Sequence, residues 1–261
     1  MCSSPRMQSS EHILSDPPPP ADARLRYGND QYQFADLRLP KGRGPFPAAM
    51  FVHGGFWRSR YDLKHAGFIC TALTGVDFVT WNLEYRRVGN AGGGWPGSFE
   101  DVTSGYQFLH QLAKRYPIDV KRIVVLGHSA GGQLALALAA HHNSMLAAVS
   151  LAGVVNLEGA WDLHLSNDAV AEFLGGDPQH VPEHYHEASP LELNIHCKQL
   201  LVHGAEDDIV PVQMSREYAR RKVQQHENVT LLEIPKAGHF EIVDPESKIW
   251  PQVEKAVLAL L

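Results

Sequence analysis

A serine, a carboxylate and a histidine, far apart in the chain, are the residues whose types and settings could do chemistry together. Ser129 sits in Gly127-His128-Ser129-Ala130-Gly131-Gly132, after the aliphatic run Ile123 to Leu126 and before the alanine- and leucine-rich stretch Gln133 to His142. A serine on a sharp strand-to-helix turn is lifted clear of its neighbours, and flanking glycines let the two backbones come close. A serine hydroxyl is a weak nucleophile at neutral pH; it needs a base, and the base needs a carboxylate to orient it. His239, in Gly238-His239-Phe240-Glu241 after the apolar run Val229 to Ile234, is the candidate base. Asp207 and Asp208 compete for the third role, in the loop that follows Gln199 to Val202. The chemistry such a set performs is acyl transfer through a covalent intermediate on Ser129.

Acyl transfer also needs donors where charge develops on the carbonyl oxygen. The Ala130 amide, just after the nucleophile, is one. The turn His53-Gly54-Gly55-Phe56 follows a short buried run and is placed to give others. Nearby aromatics, Phe56, Trp57, Tyr85 and Trp95, could line a substrate pocket, and Arg58, Arg86 or Arg87 could meet a substrate carboxylate. The plainer reading is that aromatics beside a sheet are core and that Arg86 pairs with Asp101. Of the 15 histidines, most are ordinary; His128 reads as structural. His184-x-His186 has metal-like spacing, but no cysteine or carboxylate constellation stands beside it, so neither a metal nor a cofactor is expected.

The elements that must position these groups alternate. Strands are expected over 27–39 (an antiparallel edge pair), 48–52, 76–83, 123–127, 146–151, 199–202 and 229–234. Helices are expected over 62–73, from Ser98 as N-cap to about residue 113, over 133–142, over 212–224 and over 248–261. Strand–helix alternation predicts an α/β fold with a doubly wound, mostly parallel sheet, and loops at the carboxyl ends of its strands converge on one crevice. Residues 156–190 break the rhythm and read as a small polar cap insertion of one or two short helices. Residues 1–25, with Pro17 to Pro20, read as a disordered or loosely draped proline-rich arm. The rest, 26–261, reads as one domain.

Composition bounds the partners. With 261 residues, 44% of them hydrophobic, the chain can bury one large core. A net charge of −6 gives no basic footprint for nucleic acid. The sequence has no apolar run of membrane-spanning length, and Met1 to Asp16 lacks the apolar centre of a secretory signal. Three scattered cysteines read as reduced thiols. The expectation is a cytoplasmic protein taking a small-molecule substrate, with no nucleic acid or membrane partner and a homodimer left open.

Taken together, His53-Gly54-Gly55-Phe56-Trp57, Gly127-His128-Ser129-Ala130-Gly131-Gly132, Asp207 and His239 resemble the α/β-hydrolase superfamily. The His-Gly-Gly-x-Trp form most resembles its kynurenine formamidase (arylformamidase) and esterase branch, near the hormone-sensitive lipase group. The resemblance covers about residues 46–261. It implies Ser129 as nucleophile, His239 as base and Asp207 as the carboxylate, since the fold often shows Asp-x-x-Val-Pro. It further implies oxyanion amides at Gly55, Phe56 and Ala130, with Trp57, Tyr85, Trp95 and Arg86 as candidate pocket residues. Gln133 stands where that branch often has histidine. The implied activity is a serine hydrolase cleaving a small carboxylic ester or an aryl formamide. A prolyl-oligopeptidase-like peptidase and a catalytically silent ligand-binding hydrolase fold are the alternatives.

Overall fold

Short aliphatic runs bounded by turns suit strands covered on both faces, and the sheet shows this. A computed structural model describes residues 10–261. Its eight strands are β1 (Ala23–Arg26), β2 (Phe34–Arg38), β3 (Phe46–Val52), β4 (Val79–Leu83), β5 (Ile118–His128), β6 (Ala147–Leu151), β7 (Lys198–Gly204) and β8 (Val229–Ile234). They form one sheet in the order β1-β2-β4-β3-β5-β6-β7-β8. The β1–β2 and β2–β4 pairs are antiparallel and all others are parallel. On β3, Ala48, Met50 and Val52 enter one core while Ala49 and Phe51 enter the other; Val125 and its neighbours Val124 and Leu126 on β5 divide the same way. A period of two with both faces buried leaves few solvent-facing positions, hence the largely apolar runs.

Helices α1 (Ala66–Gly75) and α8 (Trp250–Leu258) cover one face with Ile69, Cys70, Leu73, Val253 and Val257. On the other lie α2 (Gly97–Leu112), α3 (Ala130–His141) and α7 (Val212–Gln224), through Val102, Tyr106, Leu134, Leu138, Met214 and Tyr218. This is the doubly wound arrangement that the alternation predicts. Cys70 is fully buried, and burial pushes its thiol up to about 12, so it serves as packing. Among the described residues, no helix is long and apolar enough to cross a membrane.

Three expectations need correction. The insertion over 156–190 holds three short helices rather than one or two: α4 (Leu157–Asp162), α5 (Ala169–Leu174) and α6 (Pro182–Ala188). Asn156 caps the first, accepting from the Gly159 amide. Ser98 is not an N-cap: α2 starts at Gly97, and the Ser98 hydroxyl donates to the Arg86 carbonyl at 2.6 Å.

The third concerns the N-terminal arm. Residues 1–9 lie outside the described residues, but 10–25 are packed on the domain. A 3-10 turn at Ser10–Leu14 buries Ile13, a burial worth roughly 1.5–3 kcal/mol. Pro18 lies against Gly67, where a Cβ would be only 2.5 Å from the Pro18 Cβ. Arg38 donates to the Pro19 carbonyl at 2.8 Å, and β1 pairs with β2 from Ala23. Low hydrophobicity hides this segment because a few anchors, not a stripe, hold it.

Candidate active site

Strand β5 ends where its backbone meets the start of α3. A Cβ on Gly127 would collide with the Gly131 carbonyl, so only glycine fits there. Between the two elements Ser129 takes φ 56° and ψ −123°. That conformation costs a non-glycine residue on the order of 1–3 kcal/mol and persists only where the surroundings enforce it. The enforcing bonds are Ser129 N–H to the Leu151 carbonyl at 2.8 Å and Gly132 N–H to the Ser129 carbonyl at 2.9 Å. Ser129 therefore stands at the carboxyl edge of the sheet and at the N-terminus of α3, where the helix dipole favours developing negative charge.

The loops after β7 and β8 come to the same edge. His239 Nδ1 lies 2.7 Å from Asp207 Oδ2. The Asp207 Oδ1 accepts from the amides of Ile209 at 2.9 Å and Val210 at 2.8 Å. Its Oδ2 also meets His203 Nε2 at 3.2 Å, and the carboxylate side chain is fully buried. Burial opposes its ionisation, but the hydrogen bonds from His203, His239 and the Val210 amide prevail and hold the carboxyl well below the usual range. Asp208, one residue on, is exposed. The geometry thus joins Asp207, not Asp208, to His239.

Ser129 and His239 line one cavity of about 90 Å³, together with Gly55, Phe56, Tyr61, His65, His128, Ile209, Phe240 and Leu14. Apolar side chains form most of the wall. The Gly54-Gly55-Phe56 turn closes one side. A Cβ on Gly54 would stand 2.9 Å from the Ser129 Cβ, and Gly55 needs φ +110°. Phe56 and Trp57 follow at φ 49° and 57°, also left-handed. Arg58 anchors this turn to the cap, donating to Glu172 at 2.8 Å and to Ser166 at 3.0 Å.

His128 does more than flank the serine. Its Nε2 lies 3.1 Å from the His239 carbonyl, and its ring sits 4.6 Å from the His239 ring. A carbonyl only accepts, so Nε2 carries the proton. Burial, then the neighbouring His239 and His65, pushes His128 well below the ordinary histidine range. His65 contacts it at 5.9 Å between rings and is pushed down to about 3, by burial first and by His53 next. A cluster of buried histidines, His65 and His128, thus underlies Ser129 and His239.

The four candidate pocket residues are elsewhere. Trp57 is 1% exposed, stacks on Phe173 at 4.5 Å and donates Nε1 to Gln133. Gln133 passes the link on to the Ala188 carbonyl at 2.8 Å, so it ties Trp57 to the cap. Tyr85 stacks on His53 and donates to its carbonyl at 2.9 Å. Trp95 packs on Phe99 and Phe173. Arg86 grips Asp101 with two side-chain nitrogens at 2.7 and 2.9 Å. None of the four lines the cavity of Ser129; each has found an interior partner. Likewise His184 of the His184-x-His186 pair spends Nδ1 on the Leu174 carbonyl. Sequence reasoning missed Leu14, Tyr61, His65, Ile209 and Phe240. Two of these carried a signal, because Phe240 adjoins His239 and Ile209 lies inside Asp-x-x-Val-Pro.

An eight-stranded, mostly parallel sheet with a strained serine turn after β5 and a histidine–carboxylate pair after β7 and β8 makes this protein an α/β hydrolase. The family model described as BD-FAE matches residues 35–221, and the chain belongs to that family. Over 110 residues it is 31% identical to a probable isoprenylcysteine alpha-carbonyl methylesterase of Arabidopsis thaliana, covering 42% of this chain and 22% of that protein. Over 111 residues it is 30% identical to a versiconal hemiacetal acetate esterase of Dothistroma septosporum, covering 42% of this chain and 33% of that one. The matches thus span no more than a third of either relative's own length. A truncated carbohydrate esterase from gut microbiota superposes with a TM-score of 0.80 at 19% identity, over 94% of this chain and 99% of that one. That likeness concerns the fold.

Proposed function

We propose that this protein hydrolyses small carboxylic esters through an acyl-enzyme on Ser129. The observation that carries the reading is the shared cavity of Ser129 and His239, with His239 Nδ1 held 2.7 Å from the buried Asp207 carboxylate. Asp207 fixes the proton on Nδ1, which leaves Nε2 to take the serine proton as Oγ attacks the ester carbonyl. The amides of Gly55, Phe56 and Ala130 receive the oxyanion; one such donor is typically worth about 10²–10³-fold in rate. His239 then returns its proton to the departing alkoxide, and water repeats the sequence to release the acid. The esterase names of the relatives support an ester substrate, and the small apolar cavity supports a short acyl group.

An aryl formamide needs the same machinery plus a partner for its charged amino-acid end. The arginines expected for that purpose are engaged: Arg58 with Glu172, Arg86 with Asp101 and Arg87 with Glu84. The ester reading is therefore preferred. The test compares kcat/KM for p-nitrophenyl acetate, butyrate and hexanoate with that for N-formylkynurenine, in wild type and in Ser129→Ala. Ester turnover that Ser129→Ala lowers by on the order of 10³-fold or more is expected, with the formamide the poorer substrate. A formamide better than every ester would overturn the substrate assignment, and full ester activity in Ser129→Ala would overturn the mechanism.

A further inference from the structure

Leu14 is 46% exposed, one of few large apolar side chains left in that state among the described residues. It is not on a free end. Ser10 Oγ, behind it, donates to Asp244 Oδ2 at 2.6 Å, Ile13 is buried in the core under α1 and α8, and the amides of Ser15 and Asp16 close the turn on the His12 carbonyl. The backbone at Leu14 is thus fixed from both sides while its side chain faces the cavity of Ser129 and His239. A second, larger depression of about 470 Å³ adjoins that cavity, lined by Ser15, Asp16, Arg60, Asp62 and Lys64. Leu14, Tyr61 and His65 belong to both hollows. Of these three, His65 is buried and Tyr61 packs against the Gly55 turn, so Leu14 is the partition with the fewest ties.

We infer that Leu14 is a specificity-determining residue: it closes the apolar cavity against the larger polar hollow and so limits the acyl chain that Ser129 accepts. The inference rests on the ester reading above. A short acyl group fits beneath Leu14 and covers its apolar surface, whereas a longer one meets it end-on. Truncation would join the two hollows, whose walls next to Leu14 include Tyr61 and Pro17, and each further methylene admitted to contact with these apolar faces is worth about fourfold in binding. Because the side chain is half in solvent, changing it leaves few core contacts to lose.

The experiment measures kcat/KM for p-nitrophenyl acetate, butyrate and hexanoate in full-length wild type, Leu14→Ala, Leu14→Trp and Leu261→Ala, with thermal melts as a check on folding. Leu261 is 44% exposed and does not line either hollow, so it serves as the control. The hexanoate-to-acetate ratio is expected to rise at least fivefold in Leu14→Ala and to fall at least fivefold in Leu14→Trp, while Leu261→Ala stays at the wild-type ratio. Ratios within twofold of wild type in both Leu14 variants, or equal changes for all three esters, would overturn the wall while leaving the ester reading intact. A wild type that hydrolyses none of the esters would overturn both.

Discussion

Asp207 Oδ2 stands 2.7 Å from His239 Nδ1 while Oδ1 takes the amides of Ile209 and Val210, so the carboxylate can hold the imidazole in only one orientation. The neighbouring Asp208 faces solvent. Asp207→Asn is expected to lower kcat on the order of 10³-fold or more, because an amide favours the wrong tautomer of the histidine, while Asp208→Asn stays within about twofold of wild type. Steady-state kinetics on one good ester checks both, and exchanged effects would move the role to Asp208. The Ser129, Asp207 and His239 positions were legible because each follows an apolar run that ends at the same sheet edge. Of the aromatics expected in the pocket, Phe56 lines the cavity and Trp57, Tyr85 and Trp95 do not. Residue type and nearness in sequence do not show which way a side chain turns, and Trp57 turned inward to Phe173 and Gln133.

Around the site, three elements meet through histidines. The 3-10 turn Leu63–His65, the turn at His128 and the loop at His239 meet ring to ring, 5.9 Å from His65 to His128 and 4.6 Å from His128 to His239. Other titratable groups that act on them are His53, Asp62 and Asp207. His65 and His128 both lie below the ordinary histidine value of 6.5. The unfolded chain therefore takes up protons that the folded one refuses. Their stabilisation is whole above about pH 6.5 and is lost as pH falls toward 3, in the case of His65. Asp207, held low, adds a loss in the same direction that begins only near the ordinary carboxylate range. We expect the melting temperature to fall steadily from pH 7 to pH 4.5, and less steeply in His65→Gln. Parallel slopes in the two proteins would contradict this role of His65. Apart from β1 (Ala23–Arg26), which fell mostly in the stretch read as a disordered arm, strands and long helices were legible to within a few residues from their periodicity, whereas these contacts join segments with no shared pattern. The cap helices, each of six or seven residues, are too short to show a period.

In the folded molecule the sheet order brings Asp207 and His239 to Ser129, which they follow by 78 and 110 residues in the sequence. The parallel strands β5, β7 and β8 end on one side, and that is why one crevice receives all three loops. This was legible from strand–helix alternation. The wrapping of residues 10–26 was not, since its anchors at Ser10, Ile13, Pro18 and Pro19 are contacts with α1, β2 and the loop of Asp244 rather than a local preference. An arm that looks too polar to fold is thus held by the rest of the domain and supplies Leu14 to the site.

The proposed mechanism requires this assembled edge to make Ser129, among all serines of the chain, nucleophilic. The direct measurement is reaction of the native protein with a short alkyl fluorophosphonate, followed by mass spectrometry of the digested chain. A single adduct on Ser129, absent in Ser129→Ala and lost when the protein is unfolded before treatment, is the predicted result. An unmodified Ser129 in a folded protein that still hydrolyses esters, or an adduct on another serine that accounts for the activity, would contradict it.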